Sequence, residues 1–234
     1  MKLKTIFAAA TGLVCSIAAE AQNKDYVLNV GDFNELKVVS AINVDHHISA
    51  DSAGMVCFTA DPSVASFVTA SVKKGRLRIE VIPPEGAVMP DALPTVHVYS
   101  GSLLRVENEG DSAVRVLSPV AVPNFTARLI GNGGLSVRSV RATGVDCSLL
   151  TGRGRMVVGG SCTEARFSLA GVGSIQADGL KAEEASCLVT GTGDIGVNAD
   201  RIKVSGAGSG TVYYLGNPAI TKTLVIGVKI LPLE

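Results

Sequence analysis

Two groups of residues in this 234-residue chain could do chemistry. The first is Asp45-His46-His47, a carboxylate beside two imidazoles, a set that could bind a metal or move a proton near neutral pH. Its neighbours Val44 and Ile48 alternate with it in the manner of a strand, whose successive side chains point to opposite faces. His46 therefore shares a face with Val44 and Ile48, while His47 points away. The two rings diverge and cannot easily share an ion, so the pair reads as structural or solvent-facing. His97 lies in a different strand, and nothing in the sequence recommends it as a partner. No serine sits in a Gly-x-Ser-x-Gly elbow. The second group is Asp178, Asp194 and Asn198, oxygen-bearing side chains that only a repeating fold could bring together. Three such side chains fall short of the roughly six to eight ligand positions of calcium, so no metal, cofactor or catalytic residue is expected, and the three are read as a binding face.

The elements that would position these residues emerge from a repeat. Aligned on Gly-x-Gly, the second half reads LIGNGGLSV from Leu129, LTGRGRMVV from Leu150, LAGVGSIQA from Leu169, VTGTGDIGV from Val189 and VSGAGSGTV from Val204. A period near 20 residues marks a solenoid. Two residues before the first glycine stand Leu129, Leu150, Leu169, Val189 and Val204. Four after it come Leu135, Met156, Ile175, Ile195 and Gly210, and six after it Val137, Val158, Ala177, Val197 and Val212. These nearly all-apolar columns are expected to stack into a core. Between them the residues vary: Asp194 shares a column with Arg155 and Ser174, while Asp178 and Asn198 share another with Arg138, Gly159 and Tyr213. Those columns face water. A phosphate-cradling glycine loop would need a helix after it, and no copy is followed by helical periodicity. The glycines read as corners between stacked strands.

The first half is strand-rich but less regular. Leu36, Val38, Ile42, Val44 and Ile48 form one alternating face, and RLRIEV from Arg76 another. VCFTADPSVASFVTASVKKG between them reads as two strands joined at Asp61-Pro62 and closed by a turn at Lys74-Gly75. The proline-rich Pro83–Pro94 reads as a loop and a boundary, and VHVYSGSLLRVENEG from Val96 as an irregular first rung.

The chain opens with Lys2 and Lys4, an apolar run from Ile6 to Ala19, and Ala19-Glu20-Ala21, the three parts of a secretory signal. That run is shorter than the roughly 20 residues that cross a bilayer, so no membrane span is expected. Val14 before Cys15 is not the small residue a lipobox requires, which favours a soluble exported protein over a lipid-anchored one. Cleavage after Ala21 leaves 19 basic and 20 acidic residues, a formal charge of −1, and gives no electrostatic ground for nucleic-acid binding. The four remaining cysteines, Cys57, Cys147, Cys162 and Cys187, fit no zinc spacing. They read first as small buried residues and second as disulfides, with three full pairings open.

FNELKVVSAINVDHHIS, the step Lys74-Gly75-Arg76-Leu77-Arg78-Ile79, the Gly-x-Gly rungs and VYYLGNPAI from Val212 together resemble the head GIN domain family across about Tyr26 to Ile220. The resemblance implies an all-β fold, a right-handed parallel β-helix of the pectate-lyase-like kind, and an adhesin-type role without catalytic residues. The family's Gly-Ser-Gly is here Gly-x-Gly with Asn, Arg, Val, Thr or Ala in the middle. The expected organisation is a signal peptide over 1–21, a strand-rich N-terminal lobe over 22–95, a solenoid lobe over 96–218 and a C-terminal cap strand over 219–234. Two functions compete. One is an exported noncatalytic binding or adhesion module for a protein or glycan ligand, in the periplasm, at the outer membrane or on the cell surface. The other is a polysaccharide-acting lyase or glycosidase-like enzyme with its acids on the solenoid face. The lack of Trp and the scarcity of Tyr weigh against an aromatic sugar platform, and no catalytic carboxylate pair is evident. The binding module is the favoured reading.

Overall fold

The computed structural model describes residues 23–90 and 92–233; the expected signal peptide lies outside them. The fold is a β-solenoid of about 6 turns with a curled half-barrel sheet, 62% strand and 2% helix. Among the described residues no helix is long and apolar enough to cross a membrane. The first half contributes β1 (Lys24–Asn29), β2 (Glu35–Val38), β3 (Val44–Ile48), β4 (Met55–Ala60), α1 (Pro62–Ala65), β5 (Val68–Lys73) and β6 (Arg76–Val81). After the Pro83–Pro94 stretch come β7 (Val96–Ser100), β8 (Arg105–Asn108), β9 (Ala113–Val116), β10 (Val120–Ala121) and β11 (Asn124–Leu129). The regular coils are β12 (Gly134–Leu149), β13 (Arg155–Leu169), β14 (Ser174–Val189) and β15 (Asp194–Ala207), followed by β16 (Thr211–Tyr214), β17 (Ala219–Ile226) and β18 (Lys229–Pro232).

Parallel pairing stacks each coil on the next, and the sequence columns become ladders. Leu135, Met156, Ile175, Ile195 and Val212 stand opposite one another in turn, as do Leu129, Leu149, Leu169 and Val189. All nine are at most 1% exposed. A third ladder alternates small and large, Ala127, Cys147, Phe167, Cys187 and Val204, so that the single ring fills the space its neighbours leave. Each fully buried aliphatic side chain here contributes roughly 1.5–3 kcal/mol.

The ladders correct two details of the sequence alignment. Leu149, not Leu150, faces inward opposite Leu129, because the second copy has one extra residue before its corner; Leu150 is only half-buried. In the last copy Gly208-Ser209-Gly210, rather than Gly206-Ala207-Gly208, forms the corner, since Asp194 pairs with Thr211 and Ile195 with Val212. Val212 therefore belongs in the column that the sequence reading gave to Gly210, and Val204, read as a companion of Leu129 and Val189, stands instead opposite Cys187. The overlapping run Gly206-Ala207-Gly208-Ser209-Gly210 offers both registers, and packing selects the one that buries Val212.

The corners need glycine chiefly for lack of room. A Cβ on Gly171 would stand 2.7 Å from the carbonyl oxygen of Gly152, and one on Gly193 would collide with the carbonyl oxygen of Gly173. Opposite these corners the long strands bend at register shifts, between Val137 and Val140 in β12 and between Ala177 and Lys181 in β14.

The first half threads less simply. β2 lies between β6 and β8, and β3 between β7 and β9, all in parallel register. The coil from β6 to β7 is thus laid on one side of the β2–β3 coil, and the coil from β8 to β9 on the other. The expected join at Asp61-Pro62 is the short helix α1, capped by the Asp61 carboxylate accepting from the Ser63 N–H at 2.8 Å. The expected turn at Lys74-Gly75 has φ of 53° and 75° and closes the antiparallel hairpin β5–β6. β1 pairs antiparallel with β4.

Candidate functional site

Asp178 and Asp194 line one open groove of about 490 Å³ on the outer face of β14, β15 and β16. Its floor is Gly196, which stands in register between Gln176 and Tyr213. With no side chain there, the Asp178 carboxylate leans over the gap, its Oδ1 3.3 Å from where a Cβ would be. Ser174, Ile175 and Leu233 complete the lining with Gln176 and Tyr213. Gln176 Oε1 accepts two N–H donors from Arg155, at 2.6 and 3.1 Å, which leaves the amide nitrogen as a donor. The groove thus presents two carboxylates, an amide, hydroxyls and one phenol ring.

Asn198 sits differently from its sequence column. Residues 178–180 bulge at the register shift, so Asn198 pairs with Lys181 rather than with Asp178. Its side-chain amide donates to the Asp178 main-chain carbonyl at 3.2 Å, holding the bulge that carries the acid. Tyr213 is the groove member that sequence reasoning set aside. Its outward alternation was legible, but its position opposite Gly196 depends on the corrected register of the last copy. Among the described residues, no three His, Cys, Asp or Glu side chains are grouped so that they could hold a metal ion.

The histidines diverge as alternation predicts, but His97 does have neighbours. Parallel pairing of β3 with β7 sets Asp45 opposite His97 and His47 opposite Tyr99. His97 Nδ1 is 4.0 Å from Asp45 Oδ2, and His47 stacks on Tyr99 with ring centroids 5.0 Å apart. Asp45 is claimed by Arg115, which donates to both carboxylate oxygens at 2.6 and 2.9 Å. His46 is fully buried, its Nε2 2.8 Å from Ser100 Oγ. The Ser100 hydroxyl donates to Ser102 O at 2.8 Å, so Nε2 carries the ring proton, and Nδ1 is left bare and without a partner. Burial, reinforced by the charge of His47, pushes His46 down to about 4. A ring that stays neutral in a dry core cannot relay protons to a substrate.

The four cysteines among the described residues are free thiols. Cys147 and Cys187 are separated by Phe167 in their ladder. Burial pushes all three solenoid thiols up, Cys162 to about 11, Cys187 to about 12 and Cys147 further. They remain protonated and unreactive at neutral pH.

Solved structures of bacterial proteins share the fold. A Bacteroides fragilis protein described as a putative adhesin superposes with a TM-score of 0.81 at 20% identity, covering 91% of this chain and 97% of that one. A Parabacteroides merdae protein of the same description gives 0.72 at 19%, covering 92% and 98%. A Parabacteroides distasonis protein described as a putative lipid binding protein gives 0.72 at 20%, with the same coverage. At these identities the likeness establishes fold alone. No match was found among curated protein sequences. The family model described as a putative auto-transporter adhesin, head GIN domain, matches residues 32–218, from the segment before β2 to the loop after β16, and on that match the chain belongs to the head GIN domain family.

Proposed function

We propose that the protein is an exported, noncatalytic binding module that engages its ligand through the outer face of the solenoid. The observation that carries this reading is the groove around Gly196, where Gln176, Asp178, Asp194 and Tyr213 converge from three successive coils. The face is rigid because the ladders beneath it are fully buried, so little ordering cost falls on binding. A flat aromatic ring beside paired hydrogen-bonding groups suits a saccharide ring, with its apolar face and its rim of hydroxyls. The family's adhesin description and the Lys2, Lys4 and apolar opening of the chain support export to the periplasm or cell surface.

The test is a glycan-array screen of residues 22–234, followed by titration of the best hit. Asp178→Ala, Asp194→Ala and Tyr213→Ala are each expected to weaken binding about tenfold or more, with the thermal midpoint held within a few degrees, since all three lie outside the buried ladders. Retention of full binding by all three variants would show that the ligand sits elsewhere. Turnover of a bound polysaccharide by the wild type, lost in the aspartate variants, would favour the lyase or glycosidase-like alternative.

A further inference from the structure

The hairpin β5–β6 and the neighbouring β2 form a second groove, of about 470 Å³, far from the first in sequence. Five of its lining residues are cations, Lys37, Lys73, Lys74, Arg76 and Arg78; the others are Glu35 and Ser71. The whole chain has a formal charge of 0, so this concentration is local. Register makes it more notable. Lys73 stands directly opposite Arg76 across the hairpin, and Arg78 directly opposite Lys37 across β6–β2. Like charges facing each other on adjacent strands are destabilising.

The arrangement is only partly neutralised from within. Arg76 donates to Glu35 at 2.6 Å and Arg78 to Glu80 at 2.8 Å. Lys37 reaches Glu107 at 2.8 Å and Glu109 at 2.7 Å. Among the described residues Lys73 and Lys74 have no ion-pair partner, and both are exposed. Arg76 and Arg78 remain 46% and 43% exposed despite their carboxylates. The cations form two rows two residues apart along the strand, about 6.6 Å by strand geometry. A ligand meeting both rows needs at least two anionic groups.

We propose that this groove binds an acidic polysaccharide, through carboxylate or sulfate groups laid across the rows Lys73–Arg76 and Arg78–Lys37. Every lining side chain is polar, so the groove answers hydroxyls and acid groups but offers no pocket for the apolar anchor of a peptide. Lys37, 20% exposed and held by Glu107 and Glu109, adds positive charge to a groove that admits an extended chain more readily than a flat bilayer. The two grooves share no lining residue.

The test uses residues 22–234 titrated by calorimetry with polygalacturonate oligomers and, separately, with dextran sulfate oligomers; these arms distinguish carboxylate from sulfate. Binding to at least one is expected, weakening with added salt. Lys73→Gln with Lys74→Asn should reduce affinity about tenfold and flatten the salt dependence; asparagine tolerates the positive φ of position 74. The unliganded variant should melt no lower than the wild type, since one like-charge pair has gone, and Lys229→Gln, remote in the last coil, should bind unchanged. The proposal is overturned if neither glycan binds at low salt, or if the double variant binds as well as wild type. It is equally overturned if polyglutamate or phosphatidylglycerol vesicles are captured through these lysines while both glycans are ignored.

Discussion

At the scale of the residue, His46 shows how burial converts a reactive side chain into a structural one. Its ring lies edge-on to Phe33, with centroids 6.1 Å apart, and its one hydrogen bond runs to Ser100. Folded, it titrates near 4 instead of its ordinary 6.5, so between those values the unfolded chain binds a proton that the folded chain refuses. Stability is therefore complete above about pH 6.5 and is lost as pH falls, by up to about 3 kcal/mol once pH reaches 4. His47, held down by burial and by His97, acts in the same direction. Thermal melts of the wild type should drop across this window, and His46→Leu should flatten that slope; equal slopes for both proteins would show that the ring is not the group responsible. Glu107 acts lower down. Burial alone would raise it, but hydrogen bonds from Lys37 and Arg105 outweigh burial and hold it at about 2, so its contribution fades only below its ordinary 4.5. Glu107→Gln should therefore leave the slope above pH 5 unchanged and weaken the one below it.

At the scale of the element, the coils rest on two requirements, apolar ladders inside and glycine at the corners. Ile195 lies midway along its ladder, with Ile175 on one side and Val212 on the other, and is fully buried. Ile195→Ala should cost about 2–5 kcal/mol by leaving a cavity, and Ile195→Asp more, because a carboxylate would be stranded without a partner. The corner makes a sharper contrast. Gly193→Ala drives a methyl into the Gly173 carbonyl, whereas Thr192→Ala alters an exposed side chain in the same corner. Chemical denaturation should show the first losing several kcal/mol and the second within about 0.5 of wild type. These features were legible in the sequence because each acts at a fixed offset and recurs: Leu135, Met156, Ile175 and Ile195 vote together on one register. The misassigned members, Leu150 and Gly206, are where an inserted residue or an overlapping glycine run breaks the offset. The groove around Gly196 was half legible for the same reason. Asp178 and Asp194 follow from alternation, but Tyr213 requires the corrected register, and Asn198 requires the bulge at 178–180.

At the scale of the whole molecule, what the sequence conceals is threading, and what it leaves exposed is an end. Glu35 pairs with Arg76 and Arg105, across 41 and 70 positions, and no local pattern encodes the placing of β2 between strands that follow it. At the far end β17 and β18 pair with β15 and β16 as a final coil. That coil is itself thinly protected: Leu224 and Ile226 are 62% and 61% exposed, and Leu231 43%. Beneath it Ile202, Val204 and Val212 are buried at 2% or less. Ending the chain at residue 218, where the family match also stops, would lay open that layer and the ladder hydrogen bonds of β15 and β16. Uncovering two or three such side chains costs about 4–6 kcal/mol, which in a chain of this size lowers the melting temperature by roughly 10–20 °C. The bare edge would also offer unpaired backbone to a second molecule. Size-exclusion chromatography of the truncated chain should therefore show a shift to larger species relative to residues 22–234, and its melt should move down by that interval. A truncated chain that elutes and melts as the wild type does would mean that β17 and β18 lie on the solenoid without closing it.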